Sequence, residues 1–123
     1  MTIEVLPQAF TVCKVRSLSP EQLKLPFCFV GKTDRELSLV CPTESTPDDA
    51  TVREDGWRGF RIAGTLEFSL VGILSKLSGI LAAEKIGIFA VSTYDTDYIL
   101  LKDDDLPRAT ASLAQQGYVV KFL

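Results

Sequence analysis

The stretch from residue 70 to residue 81 constrains this chain most. Leu70, Ile73, Leu74, Leu77, Ile80 and Leu81 recur at spacings of three and four, which puts them on one face of a helix. Ser69 stands where an N-cap would. Apolar runs of strand character flank this helix. Residues 59–68 (GFRIAGTLEF) read as a strand with a bend near Gly64. Residues 86–91 (IGIFAV) read as a short strand buried on both faces. After a polar turn at 93–96, residues 97–102 (DYILLK) return as its partner. Asp103, Asp104 and Asp105 suit the positive end of a helix dipole, and Pro107 is tolerated in a first turn. Leu106, Ala109 and Leu113 then make the stripe of a second helix, with Thr110 beside it. Gly117 suits the position just past its end, and residues 118–122 (YVVKF) close as a strand. The order β-α-β-β-α-β is the split ferredoxin-like arrangement, a four-stranded antiparallel sheet with two helices on one face.

The first half reads as a worn copy. Residues 10–15 (FTVCKV) form a strand, and Ser19-Pro20-Glu21-Gln22 is a capping box with Pro at the first helical position. Residues 27–31 and 37–41 are strands around a polar turn. Thr46-Pro47-Asp48-Asp49 signals another helix, with little room for it before Trp57. Shifted by 61 positions, FCFVGKTDRELSLV overlays IFAVSTYDTDYILL, so that Asp34 meets Asp95 and Glu36 meets Asp97. This predicts a duplication. The expected fold is α+β: two ferredoxin-like halves, residues 1–58 and 59–123, with antiparallel sheets and helices on one face.

Charge excludes some functions. The net charge is −3. Residues 1–60 carry seven basic and nine acidic groups, and residues 61–123 carry six and seven. Neither half forms the basic patch that nucleic acid requires. Met1-Thr2-Ile3-Glu4-Val5 has no basic start and no apolar signal core. The longest mainly apolar stretch, 70–83, is too short and too broken to span a bilayer. The expected location is the cytoplasm, with no membrane partner. Cys13, Cys28 and Cys41 match no zinc spacing, and the chain has no histidine. They read as buried thiols acting as small hydrophobes. No metal, cofactor or catalytic residue is predicted. An enzymatic reading would need a pocket holding Cys13 or Cys28 beside Lys14 or Lys32.

Residues 66–74 (LEFSLVGIL), followed by residues 88–100 (IFAVSTYDTDYIL), resemble the ACT domain. Trp57-Arg58 and residues 37–42 (LSLVCP) are similar to the small bacterial members of a tandem-ACT group. That group is related to the metazoan cytosolic arginine sensors and the aspartate kinase regulatory domains. The resemblance implies non-catalytic ligand sensing, with an amino acid or similar metabolite held between two such domains. One departure stands out: the family's first helix commonly ends in Gly or Asn, and Lys85 occupies that place here.

A free amino acid is a zwitterion. Its carboxylate needs donors, and its ammonium needs acceptors or negative charge. A helix start supplies unpaired N–H groups and a positive dipole end. The expected ligand-binding residues are therefore Ser69, Leu70, Val71, Gly72 and Ile73 for the carboxylate. In the family's fold this junction lies near the second hairpin of a facing domain, so Asp95, Thr96 and Asp97 are expected to form the ammonium side. Gly72 has two readings, close ligand approach or tight packing of helix on strand, and Asp95 and Asp97 also fit as solvated turn acids. The facing domain is either the other half or a second chain, so a homodimer or a regulated protein partner is possible. The alternative is a structural or protein-interaction module with no ligand.

Overall fold

A computed structural model of the chain describes residues 1–64 and 72–123. The chain divides into two compact units, one made of residues 1–7 with 58–123, the other of residues 8–57. Strands β1 (Thr2–Lys14) and β4 (Val52–Ile62) each give one end to either unit.

In the first of these units the strand order is β7-β1-β4-β6-β5, with β5 (Ile88–Ser92), β6 (Asp97–Lys102) and β7 (Val119–Phe122). The sheet thus has five strands where the sequence predicts four. The extra one is the start of β1, which pairs in parallel with β7 from Thr2 opposite Val119 to Val5 opposite Phe122. Reading along the sequence, strand character was expected to begin only at Phe10. Pro7 interrupts the pattern, yet Ile3 and Val5 alternate toward the core as a half-buried strand should. The run 86–91 is also corrected. β5 lies at the end of the strand order, and Phe89, Ala90 and Ser92 are exposed. A short apolar run does not by itself tell an edge strand from a buried one.

Helix α2 (Ile73–Ala83) and helix α3 (Leu106–Gln115) carry the core of this unit. Leu77, Leu81, Ala109 and Leu113 are fully buried with Ile3, Phe60, Ile62, Ile99 and Leu101 of the strands. Ile73, Leu74 and Ile80 of the predicted stripe pack partly against that core, and Leu70 lies outside the described residues. Both helices end in the same hydrogen-bond pattern. In α2, Ile86 N–H donates to Leu81 O (3.0 Å) and Lys85 N–H to Ala82 O (2.9 Å). In α3, Tyr118 N–H donates to Leu113 O and Gly117 N–H to Ala114 O, both at 3.1 Å. These are Schellman ends, and each needs a left-handed residue. Gly117 supplies it at φ 95°, whereas Lys85 adopts φ 58° with a side chain to accommodate.

The second unit has the strand order β2-β3-β1-β4, with β2 (Phe29–Lys32) and β3 (Leu37–Pro42). Its helix α1 (Pro20–Leu23) is four residues long, capped by Ser19 Oγ accepting from Gln22 N–H at 3.2 Å. Thr46-Pro47-Asp48-Asp49 gives no helix; Ala50 N–H closes a turn onto Pro47 O. A small cluster of Cys13, Val15, Leu39 and Cys41, with Leu18, Cys28, Leu37 and Ala50 against it, fills one side of this sheet.

The two hairpins share one internal geometry. Phe29 stands opposite Val40, and Phe89 opposite Leu100; Lys32 stands opposite Leu37, and Ser92 opposite Asp97. The short 3-10 turns after them, Thr43–Ser45 and Asp103–Asp105, keep the same spacing. The structural offset is therefore 60, and the sequence overlay at 61 is one residue out. A threonine opens each turn, and in both its hydroxyl accepts from the N–H three residues on. Thr33 N–H donates to Glu36 O, and Thr93 N–H to Thr96 O, both at 2.9 Å. Asp34 is structurally equivalent to Tyr94, so matching acid to acid aligned residues whose identity the turn does not depend on.

Candidate functional site

The chain leaves β4 at Ile62 and turns at Gly64, in the left-handed region at φ 85°. It enters α2 at Gly72, the N-cap, also left-handed at φ 77°. The helix thus begins later than a Ser69 cap would have it; Ser69, Leu70 and Val71 lie outside the described residues. Gly72 has no side chain to cap this end, and a backbone bond runs from Lys76 N–H to Gly72 O at 2.8 Å. The N–H groups of Ile73, Leu74 and Ser75 therefore have no acceptor within the helix. A Cβ on Gly72 would meet nothing within 4 Å. Among the described residues no close packing calls for glycine here, and the positive φ does.

Gly72 and Ile73 open onto a cleft of about 250 Å³. Its other lining residues are Lys76, one turn along α2, the Schellman segment Gln116, Gly117 and Tyr118 after α3, and Met1. The parallel pair β1/β7 brings these ends together, with Val119 N–H donating to Met1 O at 3.0 Å. Burial pushes the Tyr118 phenol up from its usual value, so it stays neutral. Among the described residues the lining holds Lys76 and no carboxylate. The positive end of the α2 dipole lies beside Lys76 at this cleft. Sequence reasoning missed Lys76, Gln116 and Tyr118. Lys76 was findable, since four residues after Gly72 is one turn along the same face.

The hairpin residues are placed elsewhere in the same unit. Thr96 is buried, and its hydroxyl donates to Ile62 O at 2.8 Å. Asp97 Oδ1 accepts from Ser92 Oγ at 2.6 Å, across the β5/β6 pair. Asp95 is exposed at the turn. None of the three lines the cleft at the start of α2. The structure brings Gly72 and Ile73 together with Lys76, and leaves Asp95, Thr96 and Asp97 apart from them.

The cysteines are buried or half-buried, and burial raises all three thiols. A protonated thiol is a poor nucleophile. Among the described residues no group of three or more His, Cys, Asp or Glu side chains is arranged to hold a metal ion. No helix among them is long and apolar enough to cross a membrane.

Residues 52–115 match the ACT domain family model, more than half of the chain. The chain belongs to the ACT domain family. It is 30% identical over 112 residues to "Cytosolic arginine sensor for mTORC1 subunit 1" of Rattus norvegicus, an alignment covering 85% of this chain and 34% of that protein. The chain thus spans about a third of the length of the curated relatives it matches. Among solved structures, protein Atu0741 from Agobacterium tumefaciens superposes with a TM-score of 0.87 at 28% identity, covering 99% of this chain and 92% of the other. The regulatory subunit of aspartate kinase from Thermus thermophilus shares the fold, with a TM-score of 0.64 at 8% identity over 94% of this chain and 96% of the other.

Proposed function

We propose that this chain is a non-catalytic, cytoplasmic regulatory module that binds a small molecule, an amino acid, at an interface between ACT-type domains. The single observation carrying this reading is the cleft at the start of α2, where N–H groups without an acceptor inside the helix lie beside Lys76 and no carboxylate stands among the described lining residues. Residues 69–73, with Gly72 and Ile73 at the described end, receive the ligand carboxylate. Asp95 or Asp97 of a facing domain receives the ammonium, and Thr96, whose hydroxyl and carbonyl are both engaged within its own unit, holds the turn that presents them. The amino-acid ligand is supported by the relative named as an arginine sensor. The constant spacing of 60 between the hairpins supports a tandem duplication, with ACT-type halves 1–58 and 59–123. The facing domain is supplied by the other half or by a second copy in a dimer, and ligand binding there acts allosterically on a protein partner.

A thermal-shift screen against the common amino acids tests this. Saturable stabilisation by one or a few of them is expected, lost when the carboxylate is replaced by an amide, and weakened roughly tenfold by Lys76→Gln. No shift with any amino acid at millimolar concentration would sink it. That result would favour an interaction module instead, a reading supported by the exposed Phe89 on β5 and by Val119 and Phe122 on β7.

A further inference from the structure

The shared register of the hairpins assigns a place to two of the three cysteines. In β5/β6, Ile88 stands opposite Leu101. Sixty residues earlier, one step beyond the Phe29 and Val40 pair of β2/β3, the same positions hold Cys28 and Cys41. Hydrogen-bonded and non-hydrogen-bonded pairs alternate along an antiparallel ladder. Thr33 and Glu36 are joined by a backbone hydrogen bond, so Cys28 and Cys41, one step past the end of the β2/β3 ladder, extrapolate to a non-hydrogen-bonded position. At such a position of a continued ladder the Cα atoms approach to about 4.5 Å and the side chains share one face, within the reach of a disulfide. Cys13 does not share this geometry. Its partner across β1/β3 is Leu39, while that of Cys41 is Thr11. Cys13 and Cys41 are thus diagonal neighbours at about 7–8 Å, beyond ordinary bridging distance. Cys28 and Cys41 also pack in the same small cluster, Cys41 buried and Cys28 partly accessible.

We propose that Cys28 and Cys41 are a disulfide-forming pair, an oxidative modification site whose co-reactant is a low-molecular-weight disulfide. Cys28, the more accessible, loses its proton to solvent. Its sulfur attacks one sulfur of the reagent, forming a mixed disulfide and releasing one thiolate. Cys41 then gives up its proton, attacks the Cys28 sulfur and expels the second thiolate. Two protein thiols are oxidised, and one external disulfide is reduced to two thiols. The bridge would tie β2 to β3 in the unit that has only the four-residue α1 among its described helices.

Incubating the full chain with oxidised glutathione, followed by intact mass and peptide mapping under denaturing alkylation, tests this. The expected product lacks two hydrogens, carries a Cys28–Cys41 bridge and leaves Cys13 open to alkylation. Cys13→Ser should form it as well as the parent does. Cys28→Val and Cys41→Val, which place an aliphatic side chain where the other hairpin has one, should not. A bridge involving Cys13, an adduct stopping at Cys28 without closure, or no oxidation would each overturn the proposal. The mapping of the unsubstituted chain decides the matter even where a variant fails to fold.

Discussion

The two units contain the same hairpin but differ in what covers it. In the unit completed by residues 58–123, α2 and α3 bury Leu77, Leu81, Ala109 and Leu113 against five strands. In the unit of residues 8–57, α1 is a single turn and the cluster over the sheet is built around Cys13, Val15, Leu39 and Cys41. The same hairpin register is thus kept under very different helical cover, with β3 also paired to β1 in the smaller unit. The helices add Leu77, Leu81, Leu106, Ala109 and Leu113 to the core of the larger unit, and α2 also lines the cleft at its start.

Truncations in the two cores should separate the units most. Leu113→Ala should cost about 4 kcal/mol, because helices and sheet fix the cavity it leaves. Leu39→Ala should cost nearer about 2.5 kcal/mol, because short loops can settle into the gap. Urea unfolding measures both, and equal losses would break the contrast. The helix ends sharpen it within one unit. Gly117→Ala should lose about 1 kcal/mol, since φ 95° is strained for any Cβ. Lys85→Gly, at the matching position of α2, should gain about 0.5 to 1 kcal/mol. A destabilised Lys85→Gly variant would mean that its side chain does something the hydrogen-bond pattern does not reveal.

The smallest effect belongs to the unit of residues 8–57 and depends on pH. The Thr11 hydroxyl, donating at 2.6 Å, and the Arg53 guanidinium, at 2.9 Å, hold the Asp55 carboxyl below its ordinary range. A depressed carboxyl contributes stability above the ordinary carboxylate range and loses it as pH falls below about 4 through the folded value. Asp55→Asn should therefore be slightly less stable than the parent near neutrality and converge with it in acid. Denaturation midpoints across that range would show it, and parallel curves would remove Asp55 from the account.

Much of this fold was legible along the chain. The 3.6-residue stripe of α2, the Leu106, Ala109 and Leu113 face of α3 and the Gly117 stop are local signals, and local signals survive into the structure. The start of β1 was not legible, because its value lies in pairing with β7, more than a hundred residues away in sequence. Nor was the charged stretch at the start of β4, exposed from Val52 to Gly56 and without an apolar pattern. Of the residues expected to bind ligand, Gly72 and Ile73 line the cleft at the start of α2. A glycine before a helical stripe marks a helix start, but Lys76, Gln116 and Tyr118 meet there only because two helices and two strand ends converge. The acids of the hairpin were legible as residues, and their separation from the cleft in the unit that contains both was not.

The most direct test follows the backbone amides of isotopically labelled full-length chain while the stabilising amino acid is titrated in. Saturable shifts at Gly72, Ile73 and Lys76, absent when the ligand's carboxylate is blocked, are the predicted result. Binding that leaves those three amides unmoved while shifting others would contradict the assignment of the carboxylate to the start of α2.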